Sequence, residues 1–264
     1  MLKGAMHAHS TYSDGEFTLP ELREIFLAEG CSFLCMADHA EYFDQPSIDR
    51  YVSECESLSD NRFRLLAGLE YRCDQNMHIL GYCSTKLTDS TDPQEVFRHI
   101  SSQGAIPVIA HPKDDSFSWI ESFETLPLGI ETWNTKYDGR YSPRPGTFAL
   151  LQRLKQRNPK MHAFYGQDLH WKKQFRGLHV ILNCNISEPG AILGALSAGE
   201  YSAQKEDLQL PSSGLLPPTL LEEFGRVQER SRRIRRLFKN SKQALDRLGV
   251  GVPEFLKARL RRIF

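Results

Sequence analysis

Eight short apolar runs, Leu2–Met6, Phe33–Ala37, Phe63–Leu69, Met77–Cys83, Ala105–Ala110, Leu128–Thr132, Met161–Tyr165 and Leu178–Asn183, alternate with segments of helical period. This alternation constrains the fold most, because it is the pattern of a parallel sheet joined by crossover helices. Two of the intervening helices carry start signals. Thr18 with Glu21 forms a capping box ahead of Leu22, Ile25 and Phe26, and the DPQE stretch at Asp92–Glu95 supplies a cap, a first-turn proline and an acid. Gly104 stands where the second of these helices should end. In βα units the functional residues belong at the C-terminal ends of the strands, where the loops converge. A length of 264 residues suits one such domain.

Those strand ends are rich in one chemistry. His7 and His9 follow the first run, Asp38 and His39 the second and Glu70 the third; His78 lies in the fourth, His111 follows the fifth, and Asp168 and His170 follow Met161–Tyr165. Any one of these histidines alone reads as a hydrogen-bonded core residue or a polar strand end. Six of nine histidines at one edge read as metal ligands. His7 and His9 alternate along a strand, so both side chains should face the same way, and Asp168 with His170 repeats the spacing. Imidazole mixed with carboxylate and no thiolate suits Zn, Mn or Fe. The six cysteines form no CxxC pair and read as free thiols in the core.

The stretches HAHSTYSDG, ADH, GLEY, HILGY, AHP and GQDLH, in this order between about residues 5 and 171, resemble the polymerase and histidinol phosphatase (PHP) family of metal-dependent phosphoesterases. The resemblance implies an α/β fold, a distorted (β/α)7 TIM-like barrel, with two or three divalent ions. It places His7, His9, Glu70 and Asp168 on one ion, Glu70, His78 and His111 on a second, and Asp14, His39 and His170 on a third. Glu70, Asp168 and His111 are then the candidate catalytic residues. Lys113, Lys136 and Arg140 follow strand ends where a cation would hold a phosphate, and Asn134 matches a family position, although loop charges and a loop-capping amide would look the same. His99 reads as a surface residue, and His162 and His179 lie at the wrong ends of their strands. Ala37 and Gln167 stand where relatives commonly show TDH and GSDxH, which changes hydrogen bonding without removing a ligand. Only 33 positions separate His78 from His111, too few for the inserted, substrate-covering domain that family members acting on nucleoside phosphates can carry there. An open site with modest discrimination is expected.

The net charge of zero conceals a division. From Arg226 onward there are thirteen Lys or Arg against three Asp or Glu, whereas the preceding chain is acidic by the same margin. The PSSGLLPP stretch at Pro211–Pro218 marks the break, dividing a barrel at 1–210 from a linker at 211–218 and a basic helical extension at 219–264. In the extension, Thr219 and Glu222 read as a capping box. Val227, Ile234, Leu237, Phe238, Leu245 and Leu248 recur at helical spacing opposite Arg226, Arg232, Arg233 and Arg236. A second amphipathic helix is expected over Phe255, Leu256, Leu260, Ile263 and Phe264. The tail either packs on the acidic barrel or holds an anionic partner such as nucleic acid. No apolar run reaches the length of a membrane span and the N-terminus lacks a secretory signal, so a cytoplasmic protein is expected.

Three functions fit: a phosphatase of small phosphate monoesters, an exonuclease or phosphodiesterase on nucleic-acid ends, and a metal-binding interaction module without turnover. The complete ligand set disfavours the last. An amidohydrolase also uses an HxH barrel but commonly bridges its metals with a carboxylated lysine, and no lysine ends any of the first four strands.

Overall fold

The computed structural model describes residues 1–184 and 188–247. In chain order the elements are β1 (Leu2–Ala8), α1 (Leu19–Ala28), β2 (Phe33–Met36), β3 (Asp38–His39), α2 (Gln45–Ser57), β4 (Arg64–Leu66), β5 (Gly68–Arg72) and β6 (His78–Tyr82). There follow α3 (Pro93–Ser102), β7 (Ile106–Ala110), α4 (Phe117–Glu121), β8 (Gly129–Asn134), α5 (Pro145–Lys155), β9 (His162–Gly166), β10 (His179–Leu182), α6 (Pro189–Ala198), β11 (Tyr201–Lys205), β12 (Leu208–Pro211) and α7 (Pro218–Arg247). All eight apolar runs contain strands. The third is split at Ala67 into β4 and β5.

The strands form two six-stranded sheets, ordered β12-β11-β10-β1-β2-β4 and β3-β5-β6-β7-β8-β9. Single residues, Ala37 and Ala67, carry the chain from one sheet to the other, so β2 leads into β3 and β4 into β5. On the opposite side the residues after β9 bond to β1: Gln167 N donates to Met6 O (3.0 Å), Leu169 N to His7 O (3.1 Å), and His9 N to Leu169 O (2.9 Å). The two sheets therefore meet along both seams. Strand interiors such as Ala5–Ala8 and Ile106–Ala110 are buried throughout, as continuous apolar runs covered on both faces should be. Trp133, Tyr82, Phe164 and Phe97 are among the largest fully buried side chains of the core.

The expected all-parallel arrangement fails at β6, which pairs antiparallel with both β5 and β7. Only residues 73–77 join β5 to β6, too few for a crossover, and so the chain turns straight back. Strands β10, β11 and β12 are likewise antiparallel additions beside β1. The inversion matters for the site. His78 begins its strand, yet it pairs across from Ala110 and so lies at the same edge as the C-terminal ends of the neighbouring strands.

Local signals act as read. Thr18 and Glu21 make the reciprocal bonds of a capping box, and Asp92 caps α3 by accepting from Gln94 N at 2.8 Å. Gly104 follows α3 with φ of +72°. The capping box expected at Thr219 is not formed: α7 already includes Thr219, because Pro217 O accepts from Leu220 N (3.0 Å) and Pro218 takes the first helical position, which suits its fixed φ. Phe224 and Gln228 of α7 are buried against the body, whereas Leu237, expected on the apolar face, is 67 % exposed. Leu248 and the second helix expected over Phe255–Phe264 lie outside the described residues. Among the described residues no helix is long and apolar enough to cross a membrane.

Candidate metal centre

The end of β1 is irregular where its histidines leave it. The pairing of β1 with β2 shifts register between Met6 and Ala8, and His7 adopts a φ of +64°. His111 (+29°) and Asp168 (+52°) share the left-handed region, which costs a non-glycine residue of order 1–3 kcal/mol. Three such residues in one place indicate a geometry held by its surroundings. Asp38, fully buried, fixes the adjoining loop by accepting from Ser10 N (2.7 Å), Ser10 Oγ (2.9 Å) and Ser13 Oγ (2.6 Å). That loop carries His9 and Asp14.

The structure brings together all nine ligand candidates. His7 Nε2 and His9 Nε2 lie 3.1 Å apart and 3.3 and 3.2 Å from Glu70 Oε2. The other Glu70 oxygen meets His78 Nδ1 at 2.8 Å and His111 Nε2 at 3.1 Å. Asp14 Oδ1 is 3.2 Å from His170 and 3.7 Å from both His9 and His39, while Asp168 Oδ1 is 3.1 Å from His170 Nδ1. Donor atoms within metal-binding reach of one another form three groups: His9, Asp14, His39 and His170; His7, His9 and Asp168; and His39, Glu70 and His78. His9 and His39 each belong to two groups: the His9 ring stacks on His170 at 3.9 Å and neighbours His39 at 4.7 Å. His111 stands against Glu70.

This cluster demands positive charge. Glu70 and Asp168 are each 1 % exposed, and although burial opposes their ionisation, surrounding histidines, His7 foremost, hold both well below the usual carboxylate range. Burial likewise works against a charged His7, but Glu131, Asp168 and Glu70 outweigh it and raise its pKa. Burial lowers that of His9 to about 3. For His170 the opposition of burial is overcome by Asp14 and Asp168, giving about 9. His9 Nδ1 and His39 Nδ1 are buried with no hydrogen-bond partner. Orphaned ring nitrogens beside ionised, buried carboxylates are a donor set for divalent cations.

The substrate-binding candidates separate. Lys113 lines a recess of about 450 Å³ with His78, His111, Trp119 and Tyr137. Lys136 Nζ reaches into the cluster, 2.9 Å from Asp168 Oδ1. Asn134 is fully buried; its amide donates to Glu131 Oε2 (2.9 Å) and Asp168 Oδ2 (3.1 Å), and its oxygen accepts from Lys136 N and Tyr137 N. It orders the loop and has no group left for a substrate. Arg140 is directed away, over the Tyr141 ring, and lines a different cavity with Lys3, Phe175 and Lys205. His162 and His179 bear on other parts of the sheet, and His99 bonds Lys86 O. Two residues escaped the sequence reading. Glu131, an acid inside the apolar strand GIETWN, was the visible signal of a buried polar role; Tyr137, with its ring 4.5 Å from that of His111, had none.

No family model matches the chain. A two-domain protein from Bacteroides vulgatus containing a predicted PHP-like metal-dependent phosphoesterase superposes with a TM-score of 0.54 at 20 % identity, covering 79 % of this chain and 66 % of that one. The two chains share a fold. The PHP resemblance carried by the motifs is thus matched by the three-dimensional structure. PsfC from Pseudomonas syringae superposes with a TM-score of 0.51 at 11 % identity over 86 % of this chain and 98 % of its own. In sequence, the DNA polymerase/3'-5' exonuclease PolX of Bacillus subtilis is 30 % identical over 77 residues, 26 % of this chain. The match spans only 14 % of that polymerase's length.

Proposed function

We propose that the chain is a cytoplasmic metal-dependent hydrolase of phosphate esters, with phosphate monoesters of small molecules as its substrates. The observation that carries this reading is the convergence of His7, His9, Asp14, His39, Glu70, His78, His111, Asp168 and His170 at one edge of the sheets. These residues would hold two or three divalent ions, Zn, Mn or Fe. Such ions supply Lewis-acid stabilisation of a phosphoryl group and a water acidified to a pKa of about 7. The protein's own part is to bind and orient. Lys136 beside Asp168 sets an ammonium where a phosphate oxygen would lie, Lys113 adds a second cation at the rim, and the recess between His78 and Tyr137 takes the alcohol portion of the ester. Glu70, Asp168 and His111 are the residues closest to the reacting group in this reading. The two joined sheets correspond to a distorted (β/α)7 barrel with β6 inverted, and α7 to the start of a basic extension beyond the linker.

A second reading within the same chemistry, action on nucleic-acid ends, is favoured by the rim. Exposed Tyr42, Tyr137 and Trp171 each adjoin a candidate ligand, with ring centroids 6.2 Å from His39, 4.5 Å from His111 and 5.5 Å from His170. Exposed aromatics beside cations are stacking platforms for single-stranded bases. The test is turnover by metal-reconstituted protein of small phosphomonoesters, phosphodiesters and single-stranded oligonucleotides. Preferred cleavage of small monoesters supports the first reading and of oligonucleotides the second. Absence of hydrolysis with Zn, Mn and Fe alike overturns both.

A further inference from the structure

Strand β8 carries a carboxylate that belongs to none of the candidate ligand groups. Glu131 is 1 % exposed, and both of its oxygens are engaged by protein donors. Oε1 accepts from His7 Nδ1 at 2.8 Å; Oε2 accepts from His111 N and from Asn134 Nδ2, each at 2.9 Å. Asn134 Nδ2 also lies 3.1 Å from Asp168 Oδ2. One side chain is therefore tied, directly or through Asn134, to three candidate ligands carried by β1 and by the ends of β7 and β9. Burying a carboxylate costs several kcal/mol before its partners compensate, so core packing alone would favour an apolar residue here.

The neighbouring strand is shaped to admit this group. Gly166, paired with Asn134 in the β8–β9 ladder, sits where any Cβ would overlap Glu131 Oε1 and come within 2.9 Å of His7 Cβ. Its φ is not positive, so backbone freedom does not explain the glycine; space does. With Nδ1 of His7 engaged by Glu131, Nε2 is the nitrogen that faces His9, Glu70 and Asp168 and is the one available to an ion. Histidines that bind metals are commonly fixed in this way by a carboxylate on their other nitrogen.

We propose that Glu131 is a positioning residue that sets the tautomer and ring orientation of His7, and that Gly166 exists to make room for it. The inference rests on the metal-centre reading above and adds to it that the affinity of the centre for its ions depends on a pair outside the ligand set.

The test is calorimetric titration of Mn or Zn into full-length, chelator-stripped protein, with far-UV circular dichroism and melting of the metal-free form alongside. Glu131→Ala should weaken metal binding by about 10–100-fold. Glu131→Gln keeps an acceptor for His7 but sets its amide hydrogens against those of His111 N and Asn134, and should fall between Glu131→Ala and the unaltered chain. Gly166→Ala should reproduce the loss by displacing the carboxylate. In the Glu131→Ala, Gly166→Ala double variant the overlap with the carboxylate is gone and only the 2.9 Å approach of the methyl to His7 Cβ remains, so adding Gly166→Ala to Glu131→Ala should cost less than Gly166→Ala costs alone. Affinities within twofold of the unaltered protein, with only the metal-free melting temperature lowered, would make Glu131 merely structural and overturn the proposal; additive losses in the double variant would overturn the role of Gly166. Should Glu131→Ala not fold, Glu131→Gln and Gly166→Ala carry the same comparison. Failure of the unaltered protein to bind either metal would instead overturn the metal-centre reading, and this inference with it.

Discussion

At the scale of the residue, His170 links the site to pH. Burial disfavours its charged form, but Asp14 and Asp168 prevail and lift its pKa from 6.5 to about 9 in the metal-free protein. A raised pKa means that the imidazolium stabilises the metal-free fold fully below pH 6.5 and that this contribution disappears as pH rises through about 9. A metal ion must displace that proton, so affinity measured by titration should increase between about pH 6 and about pH 9. A flat profile would contradict the place given to His170. Glu70→Ala and Asp168→Ala should lower turnover by about three orders of magnitude or more, measured on a generic aryl phosphate, with circular dichroism unchanged. At this scale the sequence was most informative where chemistry fixes residue type: all nine candidate ligands lie together. It was least informative about second partners. Asn134 and Arg140 share the polarity expected of substrate contacts, but Asn134 is turned inward by Glu131 and by the sequence-distant Asp168, and Arg140 lies over the adjoining Tyr141 ring; polarity alone does not encode which way either side chain turns.

At the scale of the element, periodicity located the strands and caps located α1 and α3, because both arise from neighbours in the chain. Thr18→Ala, which removes the hydroxyl of the α1 capping box, should lower stability by about 1 kcal/mol in chemical denaturation. A change of stability near zero would mean that tertiary packing alone holds the start of α1. Strand direction was not legible in the apolar runs, since a run reads alike in either sense. The short connection at residues 73–77 held the missing information. Its Gln75 and Asn76 both take left-handed φ, 54° and 55°, reversing the chain just before His78. The helical spacing of α7 was visible too, but its docking was not: Gln228 Nε2 donates to Asp138 O (2.8 Å) and Ser142 O (2.7 Å), anchoring the helix to the loop that carries Lys136.

At the scale of the whole molecule, that anchor divides the roles of α7. Its early turns are bound to the body through Phe224 and Gln228, and Arg232 approaches Asp114 at 3.6 Å. Deleting the chain from Arg226 onward should therefore lower the melting temperature and perturb the loop bearing Lys136, whereas a shorter deletion, after Lys239, tests the distal basic segment alone. A salt-sensitive association with RNA or DNA that is lost in the shorter deletion, while turnover of a small ester persists, would assign the distal basic segment to nucleic acid. The central claim is that the histidine and carboxylate cluster is a centre for divalent ions that hydrolyses phosphate esters. Its most direct test is elemental analysis of the purified chain paired with turnover of an aryl phosphate before and after chelation. The account predicts at least two divalent ions per chain, loss of turnover on chelation and recovery on adding metal back, with fewer bound ions and greatly lowered turnover in Glu70→Ala. Turnover indifferent to chelation, or a fully active Glu70→Ala variant, would contradict it.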